Sequence, residues 1–174
     1  MTDTLPKLTL ILGGQRSGKS AYAESLLSNG AVYLATGHAS DEEMAERIDA
    51  HQERRGEGWV TVEEQIDIVH ALAQAKKLHS GKPVLIDSLG MWVSNMLHAQ
   101  KSPVVEADTI AQAMQNHPDP VIAVSDEVGL GVIPMNKLAR SFVDALGFVN
   151  QITAAKANRV VLVVAGLPQE LKND

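Results

Sequence analysis

Eight consecutive residues, Gly13, Gly14, Gln15, Arg16, Ser17, Gly18, Lys19 and Ser20, form a complete G-x-x-x-x-G-K-[ST] phosphate loop. An apolar run, Leu8 to Leu12, precedes it and a helix-like stretch, Ser20 to Leu27, follows. This is the strand, tight loop and helix that the motif requires. Glycines let backbone N–H groups turn inward around phosphate oxygens. The following helix points the positive end of its dipole at the same anion. Lys19 is placed to reach the β- and γ-phosphates, and Ser20 to hold Mg²⁺. The chemistry expected is binding of a nucleoside triphosphate.

Three other groups of residues bear on what is done with it. Asp87 ends the apolar run Val84 to Ile86, the pattern in which a carboxylate organises Mg²⁺ or its water shell. A contact with ribose or base, or a helix-capping role, fits the same residue. Ser125, Asp126 and Glu127 close another apolar run and lead into Val128, Gly129, Leu130 and Gly131. Two acids there read either as a solvated loop or as a base or metal partner near a γ-phosphate. In helical register Arg47, His51 and Arg55 fall on one face, with Arg54 three residues past His51. Cationic neighbours favour the neutral imidazole, which is a nucleophile. Arginines beside it suit bidentate contacts with phosphate oxygens. A solvated charged helix face has the same pattern.

These residues need a scaffold, and the chain supplies one. The strand candidates are Leu8–Leu12, Ala31–Ala35, Val84–Ile86, Val121–Val124 and Val160–Val164, nearly continuous apolar runs that suit strands buried on both faces of a parallel sheet. Between them lie helix candidates Ser20–Leu27, Asp41–Gln52, Ile66–His79, Leu89–His98, Ala107–Gln115 and Asn136–Ala157. Asp41 has the character of an N-cap, with Glu42 and Glu43 in the first turn. The alternation predicts one α/β domain over residues 1–174, a doubly wound sheet with helices on both faces. Ligands on such sheets bind beyond the carboxyl ends of the strands, which is where the chemistry-bearing residues lie.

Composition narrows the classes further. With 174 residues and 45% apolar content the chain supports a substantial core. A net charge of −6 argues against nucleic acid held on a basic surface, and 3% aromatic residues against base-stacking platforms. The chain has no cysteine, which excludes disulfides and thiolate metal sites and fits a cytoplasmic protein. Neither an apolar signal core nor a membrane-spanning run is present, so no membrane span is expected.

Taken in order, the segments resemble the bifunctional adenosylcobinamide kinase/adenosylcobinamide-phosphate guanylyltransferase family of cobalamin biosynthesis. The resemblance rests on the phosphate loop, on Tyr33 to Thr36, on Asp41 to Ile48 followed by His51, and on Trp59 to Glu63. It continues through Ser125 to Pro134, Asn136 to Arg140, Gly147 to Gln151 and Val161 to Gly166. It implies a RecA-like P-loop NTPase fold, a homotrimer, Mg²⁺, and ATP and GTP as substrates. One implied reaction phosphorylates the aminopropanol hydroxyl of adenosylcobinamide. In the other, His51 attacks the α-phosphorus of GTP, expels pyrophosphate and passes GMP to adenosylcobinamide phosphate. His51 and Lys19 are then catalytic, and Ser20 and Asp87 hold the metal. Nucleotide contacts fall on the phosphate loop, Ala35, Thr36, Gly37, Gln52, Glu53, Arg54, Arg55, Glu63 and Asp87. Two positions depart from the family's habit, with Asp87 where it often carries Glu and Asp126 where it often carries Asn.

Two other readings start from the same residues. A P-loop small-molecule kinase without guanylyl transfer would use the Arg47–Arg55 segment as a lid. A GTP switch would read guanine with Asn-Lys-x-Asp, and the nearest match, Asn136, Lys137, Leu138 and Ala139, lacks the final acid.

Overall fold

The computed structural model describes residues 5–37 and 58–174. The helix expected over Asp41–Gln52, with Arg47, His51 and Arg55, lies outside the described residues. So do His38, Gln52, Glu53 and Arg54.

Seven strands form one sheet: β1 (Leu8–Gly13), β2 (Val32–Ala35), β3 (Val60–Glu63), β4 (Val84–Asp87), β5 (Val121–Asp126), β6 (Arg159–Val164) and β7 (Leu167–Asn173). Their order across the sheet is β3-β2-β4-β5-β1-β6-β7. All neighbours are parallel except β6 and β7, which form an antiparallel hairpin. Five helices are described: α1 (Lys19–Ser25), α2 (Ile68–Leu78), α3 (Leu89–His98), α4 (Pro103–Gln115) and α5 (Lys137–Lys156).

Alternation along the strands divides the core. Leu8, Leu10, Leu34, Ile86, Ala123 and Val160 turn towards α2, α3, α4 and α5, where Trp92 and Met114 are the bulkiest fillers. Ile11, Tyr33, Leu85, Ile122, Val124 and Val161 face the other side, covered by Ala23 and Leu27 from α1 and the α1–β2 connection. Helices therefore flank both faces, four on one and one on the other among the described residues. The apolar face of α3 is turned into this core: Leu89, Trp92, Val93 and Met96 are buried.

Caps explain several boundaries. Asp67 accepts a hydrogen bond from His70 N at 2.9 Å, Ser88 from Met91 N at 3.2 Å, and Asn136 from Leu138 N and Ala139 N at 2.8 and 3.1 Å. Helix α4 begins at Pro103, four residues before the sequence-based start at Ala107, because proline at the first helical position follows its Ser102 cap.

Candidate active site

Strand register assembles the site. Gly13 pairs with Asp126, and Ala35 pairs with both Glu63 and Asp87. The C-terminal ends of β3, β2, β4, β5 and β1 thus form one edge carrying Glu63, Ala35, Asp87, Asp126 and Gly13. At about 4.8 Å per strand it spans roughly 19 Å from β3 to β1.

The phosphate loop leaves β1 at Gly13. Ser17 N donates to Gly14 O at 3.2 Å, and Tyr22 N to Gly18 O at 2.9 Å. Arg16 and Gly18 have φ of 56° and 95°, left-handed values that curl the chain into α1. A Cβ on Gly13 would strike Ser17 Oγ and approach Val163 O to 2.8 Å, so the close passage of the loop over β6 demands glycine. The turn between β6 and β7 braces the loop. Gly166 N donates to Ser17 O at 2.7 Å, and a Cβ on Gly18 would lie 3.2 Å from Gly166 Cα. Sequence reasoning missed this brace, whose signal was the Ala165, Gly166, Leu167, Pro168 turn. Ser17 Oγ is buried and has no hydrogen-bond partner.

Lys19 is 12% exposed; its Nζ donates to Gly14 O at 3.2 Å and meets Asp126 Oδ1 at 2.7 Å. Asp126 is fixed from behind. Buried Asn150 on α5 donates to Asp126 O at 3.0 Å and accepts from the Ser125 hydroxyl at 2.6 Å. Gly90, in the first turn of α3, lies so close that a Cβ there would collide with the Asp126 carboxylate. Glu127 behaves differently: its N donates to Gly13 O at 3.0 Å while its carboxylate turns back to accept from Gly129 N at 2.7 Å. The two adjacent acids therefore have separate tasks, one facing Lys19 and one shaping its own loop.

Asp87 ends β4, with β5 between it and the phosphate-loop strand. Its Oδ2 accepts from the Tyr33 hydroxyl at 3.2 Å. Beside it, Thr36 Oγ1 donates to Ser88 O at 2.7 Å and accepts from Ser88 N at 2.8 Å. Asn95 Nδ2 on α3 donates to Thr36 O at 2.8 Å and Gln65 O at 3.1 Å. These bonds lock the ends of β2 and β4 to α3 and to the chain following β3. Glu63 is exposed at the end of β3, Gly37 is the last described residue after β2, and Ser20 is half-buried in the first turn of α1.

No group of three or more His, Cys, Asp or Glu residues among those described is arranged to hold a metal. The oxygen donors available, the Ser20 hydroxyl and the Asp87 carboxylate, suit Mg²⁺, which is held by one or two protein ligands and the substrate's phosphates.

A phosphate loop on an inner strand of a parallel sheet, with carboxylates at the ends of the next two strands, defines a P-loop NTPase. Solved structures agree on the fold. A KaiC-like protein of Pyrococcus horikoshii superposes with a TM-score of 0.56 at 12% identity, covering 91% of this chain and 72% of that one. The P4 protein of bacteriophage phi13 gives 0.53 at 14% identity, covering 94% and 53%. Within this class, residues 9–171 match the family described as cobinamide kinase / cobinamide phosphate guanyltransferase, and the chain belongs to that family of bifunctional enzymes. It is similar to the bifunctional adenosylcobalamin biosynthesis protein CobP of Pseudomonas aeruginosa, 38% identical over 170 residues that cover 95% of this chain and 97% of that protein. The corresponding CobU of Escherichia coli is 37% identical over 185 residues, covering 95% and 99%. No helix among the described residues is long and apolar enough to cross a membrane.

Proposed function

We propose that this chain catalyses both reactions of its family at one strand-end edge, with His51 as the covalent guanylyl carrier. The observation that carries the reading is the continuous edge from Glu63 through Ala35 and Asp87 to Asp126 and Gly13. It is long enough to seat a nucleoside triphosphate lengthwise, with phosphates at Lys19. A phosphate oxygen seated in the loop would satisfy the buried Ser17 hydroxyl.

In the kinase step, the aminopropanol oxygen of adenosylcobinamide attacks the γ-phosphorus. The new O–P bond forms as the bond to the β-phosphate oxygen breaks, the nucleoside diphosphate leaves, and the hydroxyl proton is released. Lys19 neutralises charge on the transferring group. In the guanylyl step, a neutral imidazole nitrogen of His51 attacks the α-phosphorus of GTP and pyrophosphate leaves. A phosphate oxygen of adenosylcobinamide phosphate then displaces the imidazole, breaking the N–P bond and forming adenosylcobinamide-GDP. Gln52, Glu53, Arg54 and Arg55 bind nucleotide beside His51, and Thr36, Gly37 and Glu63 on the far part of the edge. Ser20 and Asp87 would hold Mg²⁺, which would supply charge neutralisation for the phosphates. ATP and GTP both serve as donors, and the working form is a cytoplasmic homotrimer.

The test is covalent labelling. Full-length protein is incubated with Mg²⁺ and GTP labelled at the α-phosphate, then denatured. Acid-labile, base-stable label on the wild type and none on His51→Ala is the expected result. Tight GTP binding with no label on the wild type would overturn the carrier role and leave a plain kinase.

A further inference from the structure

The chain between β5 and α5 displays apolar side chains to solvent. Leu130, Val132 and Met135 are 86%, 96% and 97% exposed, and Ile133 and Leu138 are also largely exposed. Contiguous exposed apolar surface on this scale marks a binding site more often than chance. The strap is held at both ends. Glu127 N bonds to Gly13 O at 3.0 Å, and the Arg140 guanidinium donates to Pro134 O at 3.0 Å and Met135 O at 2.6 Å. Beyond it, Leu97, Leu138, Ala139 and Phe142 line an apolar pocket of about 270 Å³ between α3 and α5.

Gly131 supplies a second observation. Its φ lies outside the left-handed region, and a Cβ added to it would meet nothing within 4 Å. Neither conformation nor packing of the fold requires glycine there. The backbone at Gly131 is therefore open to a flat ligand lying against it.

We propose that this strap and pocket receive the corrin ring of the acceptor, an inference that rests on the function proposed above. The reacting hydroxyl must come within about 3.5 Å of the phosphorus held at Lys19. The ring on the other end of the aminopropanol arm therefore lies within arm's length of the phosphate loop. Leu130 is four residues beyond Asp126, at most roughly 14 Å of chain from the carboxylate that meets Lys19. Between Glu127 and Lys137 there is no cation, so the strap is built for the broad ring and not for a second phosphate.

The variants Gly131→Val, Leu130→Asp and Val132→Asp change exposed side chains that the fold does not use. Kinase turnover with varied adenosylcobinamide, adenosylcobinamide binding by equilibrium dialysis read from its visible absorbance, GTP affinity and mass by light scattering are measured for each. At least a ten-fold rise in acceptor KM and dissociation constant is expected, with GTP affinity, α-phosphate labelling and mass unchanged. Unchanged acceptor binding in variants of an active wild type overturns the strap assignment alone, while a fall in mass with acceptor affinity retained assigns the strap to a second copy of the chain. A wild type that binds adenosylcobinamide without phosphorylating it overturns the proposed kinase function instead, and the dialysis arm still reads the strap.

Discussion

The ammonium of Lys19 stands 2.7 Å from the Asp126 carboxylate, across the junction of two strands whose ends, Gly13 and Asp126, are in register. A triphosphate entering the loop competes with Asp126 for that ammonium and also meets the carboxylate's own charge. Partly exposed pairs of this kind contribute up to about 1 kcal/mol. Asp126→Asn keeps the shape and removes the charge. The dissociation constant for a non-hydrolysable GTP analogue should fall by up to roughly five-fold, since 1.4 kcal/mol is about ten-fold. Calorimetric titration showing equal or weaker binding by the variant would sink this account of the pair.

Gly90 gives a second handle on the same carboxylate, from the helix side. Alanine in a helix is favoured over glycine by about 1 kcal/mol, so Gly90→Ala would ordinarily stabilise α3. Here the new Cβ runs into the Asp126 carboxylate, and overpacking costs about 1–3 kcal/mol. The clash should win, lowering Tm and loosening Lys19. A raised Tm in thermal unfolding would mean that Asp126 moves aside without cost.

Asn150 ties α5 to the site by bonding both Ser125 and Asp126. Asn150→Ala leaves the buried Ser125 hydroxyl and the Asp126 carbonyl without these partners, a loss of about 1–3 kcal/mol for each unsatisfied buried group. Denaturant unfolding should show the loss at full m-value. Unchanged stability would show that water replaces the amide fully.

Much of this architecture was legible in the chain. Strands β1, β4, β5 and β6 announce themselves because inner parallel strands are apolar on both faces, and the phosphate loop because its chemistry is local. Strand β3 was missed: Val60, Thr61, Val62 and Glu63 make a four-residue edge strand with alternating exposure and no continuous apolar run. Strand β7 was missed for a stronger reason. Leu167 to Asn173 is almost wholly exposed and contains Pro168, so pairing with β6 holds it and burial contributes little. The partner of Lys19 was not readable either. Asp126 and Glu127 are equivalent in sequence, and only the register of β1 with a strand over a hundred residues away selects Asp126.

That exposed hairpin carries the fold's clearest pH signature. Glu170 on β7 accepts a hydrogen bond from Arg159 Nε at 2.7 Å and from Asn173 Nδ2 at 3.0 Å. Bonding to Arg159 first, and to Asn173 second, holds its carboxyl below the ordinary value of 4.5. A depressed folded value means that the unfolded chain takes up the proton first on acidification. The contribution is therefore fully present above the ordinary value and is lost as pH falls through the folded one. Glu170→Gln should lower Tm slightly at pH 7, and the gap from wild type should close towards pH 3. The pair is exposed, so the gap at pH 7 should also shrink in high salt. Because the β6–β7 turn braces the phosphate loop through Gly166 and Ser17, GTP affinity should follow the same pH trend. A gap in Tm that stays constant from pH 7 to pH 3 would show that the ion pair adds nothing to the hairpin.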